Sequence, residues 1–290
     1  MCAEQTLSKQ LVLKNDVSVP RLGQGPWYLG QGLQPREQEL AALRRGIERG
    51  MTLIDTAEMY GEGRSEALIG EAIRSLDRDG LYLVSKVYPH NAGHGRLEKS
   101  LTASLQRLGT DHLDLYLLHW RGSIPLRETA EEMERQVTLG RIKSWGVSNL
   151  DLGDMQELMQ TGLGEHCITD QVLYHLGSRG VEYDLLPWLT ERRIALMAYC
   201  PLAQGGTLRR GVLRSPAVLQ AAEHHGATPA QVLLNFVLQQ PDVIAIPRSS
   251  APAHTEENAA ALDFCLTAEE LTALDRAFPA PNHPTMLDIV

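Results

Sequence analysis

Aromatic side chains make up only 5% of this 290-residue chain, and cysteine is scarcer still, at four. Cys2, Cys167, Cys200 and Cys265 stand far apart. They form no C-x-x-C pair and no zinc-finger spacing with histidine, which excludes a disulfide framework and a sulfur-based zinc module. No apolar run approaches the length of a membrane span. The opening MCAEQTLSKQ is polar and lacks the apolar core of a signal peptide. Basic runs are also missing, and the net charge is −9. Nucleic acid and anionic membranes are therefore poor partners. These absences predict a cytoplasmic soluble protein; a monomer acting on a small molecule is the accompanying expectation. What remains is a chain with 43% hydrophobic residues, enough for a sizeable core, and a length that allows two ordinary domains or one large barrel.

The pattern that is present is a series of short apolar runs, each ending on a polar side chain. They are LIDTA (Asp55), LYLVSK (Lys86), LDLYLLH (His119), SWGVSN (Ser148, Asn149), ITDQ (Gln171), ALMAY (Tyr199) and VIAIPR (Arg248). Buried parallel strands read as continuous apolar runs because helices cover both faces. Amphipathic segments such as EQELAALRRGIERG and RLEKSLTASLQRL lie between them, and most repeats are about 30 residues, one strand–helix–strand unit. With a first strand near Leu22–Gly25, eight units predict a single (β/α)8 barrel spanning 1–290. A hairpin at about 11–20 precedes it, turning at Asn15-Asp16, and a C-terminal helix and tail occupy about 263–290. A doubly wound open sheet is the competing fold. It would usually begin with G-x-G-x-x-G, whereas Gly23 and Gly25 are followed here by Pro26. Thr228–Pro229–Gln231 and Thr267–Glu270 read as helix N-termini with capping boxes. Gly50, Gly109 and Gly140 read as left-handed C-caps. The stretch CPLAQGGTLRRGVLR, at 200–214, reads as a functional loop.

Chemistry collects at the C-terminal ends of barrel strands. Asp55, Lys86 and His119 reach that face from three strands, and Tyr60 follows five residues after Asp55. Taken singly, each has an ordinary explanation: a turn-capping Asp, a packing Tyr, a satisfied core His. An ammonium closing a core strand needs a partner, however, and Asp55 can supply one. The four together describe a tuned acid. A phenol has a pKa near 10, and a neighbouring ammonium is expected to lower it, which would let Tyr60 protonate a developing alkoxide. Arg248 follows the last strand near a helix N-terminus, where a phosphate is favoured.

The segments LIDTAEMYGEG, SKVYPHN, LHW, GVSNL, QVLYH, AYCPLAQGG and IPRSS…EEN, in this order from about residue 11 to 262, resemble the aldo-keto reductase family. YHLGSRGVEYDLLPW and the FPAP…LDIV tail resemble bacterial members that reduce methylglyoxal and related small carbonyls. The resemblance implies an NADPH-dependent reductase with a catalytic tetrad of Asp55, Tyr60, Lys86 and His119. It implies that Gly25, Ser148, Asn149, Gln171 and Tyr199 hold the nicotinamide half of the cofactor. Cys200, Pro201, Leu202, Gln204 and Gly205 would cover the pyrophosphate, and Arg248, Ser249, His254, Glu257 and Asn258 would meet the adenosine end. Trp27, Tyr88 and Trp120, with His119, would surround the substrate carbonyl. The family usually carries Lys at 248 and often Arg at 254, so weaker NADPH preference with some NADH use is expected. Pro26 and Asp170 replace a common Thr and Asn, and the long closing loops of steroid-reducing relatives are not evident in the sequence. Two other classes remain open: an NADPH-binding redox-sensing subunit with slow turnover, and a metal-dependent barrel hydrolase. The hydrolase would need clustered metal ligands at strand ends, and only one His ends a strand.

Overall fold

The structure is a computed structural model that describes residues 7–290; the polar start of the chain, with Cys2, lies outside the described residues. A hairpin of β1 (Gln10–Val12) and β2 (Ser18–Pro20) opens the fold. Strands β3 (Leu53–Asp55), β4 (Tyr82–Val87), β5 (Leu113–Leu118), β6 (Ile142–Ser148), β7 (Cys167–Leu173), β8 (Ala195–Tyr199) and β9 (Val243–Ile246) then pair in sequence order. Every pairing among these seven is parallel. The helices are α1 (Arg36–Glu48), α2 (Arg64–Ile73), α3 (Arg96–Leu108), α4 (Leu126–Thr138), α5 (Leu152–Gln160) and α6 (Leu185–Glu191). They continue with α7 (Gly206–Leu213), α8 (Pro216–His225), α9 (Pro229–Leu238), α10 (Pro252–Ala259) and α11 (Ala268–Ala277). Among the described residues, no helix is long and apolar enough to cross a membrane.

The expected first strand near Leu22–Gly25 is present as a narrow eighth stave. Leu22 bridges to Ala245 of β9 and Gln24 to Ile54 of β3, both parallel. The Gly23 amide donates to Ala245 O at 2.9 Å, and the Gln24 amide to Leu53 O at 2.8 Å. This stave joins the two edges of the seven-stranded sheet and closes the barrel. It is squeezed: a Cβ on Gly25 would lie 2.5 Å from Ile246 O, so glycine is required there. Pro26, which has no amide to donate, ends the pairing. Arg21, buried just before the stave, donates to Leu238 O at 2.8 Å and to Gln240 O. Its guanidinium thus satisfies carbonyls left over at the end of α9.

Successive strand residues point to opposite faces, which divides the core in two. Leu53, Tyr82, Val84, Leu115, Leu117, Ala195, Met197, Ile244 and Ile246 fill the barrel, and Leu13 and Val19 of the hairpin join them from below. Ile54, Leu83, Tyr116, Leu118, Trp145, Val147, Leu196 and Ala245 face the helices. Continuing the inward file of each strand by two residues reaches Asp55, Lys86, His119, Tyr199 and Arg248. Apolar side chains therefore fill the lower barrel and polar ones crown its C-terminal end.

The capping boxes form as read: Thr228 with Gln231 opens α9, and Thr267 with Glu270 opens α11. Gly50, Gly109 and Gly140 all take positive φ. One expectation needs correction. The segment 200–214 is not loop throughout, because Gly206–Leu213 folds as α7 and leaves 200–205 and Arg214 outside it. Gly205 and Gly206 disguise the helix in the sequence; their positive φ values (92° and 64°) bend the chain into it.

Candidate active site

The centre of the site is a buried ion pair. Lys86 Nζ donates to Asp55 Oδ2 at 2.7 Å, and the two side chains are 0% and 2% exposed. The same ammonium donates to Thr56 O at 2.7 Å and to Tyr60 Oη at 3.1 Å. Its three protons thus have three acceptors, which is what a buried ammonium needs. The second Asp55 oxygen accepts from Gln171 Nε2 at 2.9 Å. Burial pushes the Asp55 carboxyl up and the Lys86 ammonium down, and each charge opposes the shift of the other.

Tyr60 comes from the loop between β3 and α2. Its amide donates to Ala57 O, and Glu62, Gly61 and Gly63 all take positive φ, turning the chain tightly there. Glu58 Oε1 accepts from the Tyr88 amide at 2.7 Å and from Asn91 Nδ2 at 3.2 Å, which fastens this loop to the one after β4. The expected depression of the Tyr60 pKa is not what the structure gives. Burial pushes the phenol well above its ordinary value, and the Asp55 charge pushes in the same direction. Tyr60 is therefore held protonated, the form an acid needs, with an ammonium 3.1 Å away to receive the phenolate. His119 presents its ring edge to Tyr60, with ring centroids 5.7 Å apart. Burial and the Lys86 charge press its pKa down to about 2. The neutral imidazole is thus favoured, and it can donate one hydrogen bond.

A cavity of about 650 Å³ opens above this cluster. Asp55, Tyr60 and His119 line it, and so do Gly25, Ser148, Asn149, Gln171, Tyr199, Cys200 and Arg248. Asn149 takes φ +57°, which an Asn tolerates. Its amide donates to His119 O at 3.1 Å, and Tyr199 Oη donates to its Oδ1 at 2.9 Å. Ser148 Oγ donates to Gln171 O. Burial raises the Cys200 thiol to about 11, which favours the thiol over the thiolate. Trp27 and Trp120 also line the cavity, whereas Tyr88 stands one ring behind, edge-on to Trp120 at 5.8 Å.

Other expected residues lie outside the lining. Pro201, Leu202, Gln204 and Gly205 make the 200–205 loop. Ser249 precedes α10, and its Oγ accepts from Thr255 Oγ1 at 2.9 Å. His254 is exposed on α10 and Asn258 is buried on it. Glu257 accepts from Thr228 at the cap of α9.

Three groups play parts that the sequence does not announce. Arg121 lines the rim, held by Asp154 at 2.8 Å and Glu157 at 2.9 Å. Asp170, beside Gln171, is fully buried, and neither carboxylate oxygen has a side-chain partner. Long closing loops are not evident in the sequence, and it is the tail residues Met286, Leu287, Ile289 and Val290 that line the cavity. Asp288 fastens this tail by accepting from Ser178 Oγ. Ser178 closes a tight turn onto His175. The His175 Nδ1 accepts from the Gly177 amide at 3.0 Å, which places the ring proton on Nε2, donating to Gln204 Oε1 at 2.6 Å. A continuous chain of hydrogen bonds thus links the tail to the 200–205 loop. Apolar residues in LDIV are the only local signal for it.

Comparison with known proteins agrees with this geometry. A profile described as the aldo/keto reductase family matches residues 21–278. Methylglyoxal reductase YeaE of Escherichia coli is 52% identical over 282 residues, covering 97% of this chain and 99% of that protein. The glyoxal reductase of Bacillus subtilis is 32% identical, covering 93% of each chain. Among solved structures, an aldo-keto reductase from Klebsiella pneumoniae in complex with NADPH superposes with a TM-score of 0.94 at 52% identity, covering 98% of this chain and all of that one.

Two outcomes follow from the unpartnered carboxylate and the fastened tail. Burial pushes the Asp170 pKa well above the carboxylate range. The folded state therefore holds this proton to a higher pH than the unfolded chain, where the carboxyl has a pKa near 3.9. This group costs stability as pH rises from about 4 towards its folded pKa, by up to about 1.4 kcal/mol per unit. Asp170→Asn should raise the urea midpoint at pH 7 and flatten its dependence on pH above about 4; a lower midpoint would contradict the assignment. Ser178→Ala should leave the fold intact and speed protease cleavage within residues 286–290 by roughly tenfold, the worth of a hydrogen bond to a carboxylate. Unchanged cleavage would mean that packing alone holds the tail.

Proposed function

This chain belongs to the aldo/keto reductase family, and from that premise we propose that it is an NADPH-dependent reductase of small aldehydes and ketones, methylglyoxal among them, with Tyr60 as the acid. The observation that carries this reading is the single ammonium of Lys86, which bonds to Asp55 and Tyr60 at once at the floor of the cavity. Methylglyoxal is the substrate that the 52%-identical relative is named for, and NADPH is the cofactor bound in the equally similar solved neighbour.

The cavity suits an extended dinucleotide. Ser148, Asn149 and Gln171 present amide and hydroxyl groups beside the acid cluster, and Tyr199 offers a flat wall. Arg248, with its guanidinium exposed 5.8 Å from the Tyr28 ring centroid, stands at the phosphate end. Gly25, residues 200–205, Ser249, His254, Glu257 and Asn258 complete the proposed cofactor contacts. When bound, NADPH supplies the hydride for the carbonyl carbon. The chain's own residues handle the oxygen. His119, neutral, orients the carbonyl by donating to it. Tyr60 gives up its proton to that oxygen as charge develops there. Lys86 stabilises the phenolate left behind, and Asp55 keeps Lys86 charged and in place. Trp27 and Trp120, with Tyr88 supporting Trp120, wall the substrate side, and the tail at 286–290 narrows it. Arg248 and His254 favour NADPH while admitting NADH more weakly.

The same reading takes residues 1–290 as one domain, a monomer acting in the cytoplasm. With a net charge of −9 it has no nucleic-acid partner.

Replacing Tyr60 by Phe removes the proton to be given and, with it, the oxygen that accepts one of the three Lys86 protons. Reduction of methylglyoxal should fall by at least about 10² in kcat, while fluorescence titration gives an NADPH affinity near that of the unaltered protein. A variant that still reduces methylglyoxal at a comparable rate would defeat the assignment of Tyr60.

A further inference from the structure

Away from the cavity, the end of α8 meets the start of α11, and three side chains converge there. His224 Nδ1 lies 2.8 Å from Glu270 Oε1, and His225 Nε2 lies 2.9 Å from Glu270 Oε2. The ligand atoms all fall within 4.8 Å of one another. None of the three residues borders the cavity, and the proposed reaction uses none of them.

We propose that His224, His225 and Glu270 form a binding site for a divalent transition metal of the zinc class, joining α8 to α11. Two imidazoles and one carboxylate are a donor set that zinc accepts, with room for water as a fourth ligand. Two of the three ligands are already fixed. Glu270 is held by its capping box, Oε2 accepting from the Thr267 amide at 2.7 Å. The His225 ring packs against Phe264, tilted by 31° with centroids 4.7 Å apart. His224 is 65% exposed at its side chain, so it is free to turn and close the site. Ligand atoms around tetrahedral zinc stand about 3.4 Å apart, given bonds of about 2.0–2.1 Å. The 2.8 and 2.9 Å contacts, made to different oxygens of Glu270, would open by about half an ångström, and the wider ligand pairs, at up to 4.8 Å, would close by about an ångström or more as His224 turns. To bind the metal, each neutral imidazole would turn the lone pair of the nitrogen facing Glu270 to the ion, its single N–H residing on the other ring nitrogen after exchange with solvent. Position helps as well: α8 points its C-terminus, the negative end of its dipole, at the site, which favours a cation. Because α11 leads into the tail that lines the cavity, an occupied site would brace that tail from outside.

Titration calorimetry of the metal-free full chain with zinc chloride tests this. One zinc should bind per chain with low-micromolar affinity, weakened roughly tenfold or more in both His224→Ala and Glu270→Gln. Glu270→Gln keeps a capping side chain, so its unfolding midpoint without zinc should match the unaltered protein. Zinc should raise the midpoint of the unaltered protein alone. Cobalt bound at the site should show no thiolate charge-transfer band. The proposal is overturned if the unaltered protein binds no stoichiometric zinc, if both variants bind it equally well, or if cobalt shows the thiolate band, which would place the metal at cysteine.

Discussion

Everything at the crown of this barrel depends on one buried ion pair, Lys86 with Asp55. Neither side chain reaches water, so neither charge could persist without the other. Removing one partner from such a pair typically costs about 3–5 kcal/mol, because the remaining charge is left buried and unpaired. That constraint explains the surroundings. Thr56 O, Tyr60 Oη and Gln171 Nε2 take the remaining hydrogen-bonding capacity of the pair. The Lys86 charge also helps keep His119 neutral. Even the narrow stave at Leu22–Gln24 contributes, since the Gln24 carbonyl accepts from the Asp55 amide at 2.9 Å and sets the height of that carboxylate.

The electrostatic balance at Tyr60 differs from the simple picture of an ammonium lowering a phenol's pKa. Burial and Asp55 raise it, so Lys86 serves the phenolate only as it forms. Catalysis by differential stabilisation has this character: the favourable contact strengthens as charge develops. Neutral His119 fits the same scheme, as a hydrogen-bond donor.

Much of this is legible in the amino-acid sequence, for local reasons. A polar residue that interrupts an apolar run is conspicuous, and β-strand alternation then fixes its face. Spacing alone therefore brings Asp55, Lys86, His119, Tyr199 and Arg248 together. The capping boxes at Thr228 and Thr267 are equally plain because they lie within four residues. What cannot be read depends on distant contacts. Tail residues Leu287 and Ile289 line a cavity built by strands that lie, for the most part, more than a hundred residues earlier. The link from Asp288 through Ser178 and His175 to Gln204 crosses three segments. Asp170 stands out in the sequence only as an unusual residue; its cost comes from burial without partners. Glycines mask α7, and the direction of the Tyr60 shift depends on burial that no spacing reveals.

The most direct test of the account removes both charges of the central pair together, so that neither is left buried alone. The Asp55→Asn, Lys86→Met double variant should fold and bind NADPH, because the barrel loses no net charge. Single-turnover oxidation of bound NADPH by methylglyoxal would then be followed. The account expects the rate to fall by at least about 10², the usual worth of an organised proton donor. A double variant that turns over within tenfold of the unaltered protein would show that Tyr60 acts without Lys86, and the account would be wrong at its centre.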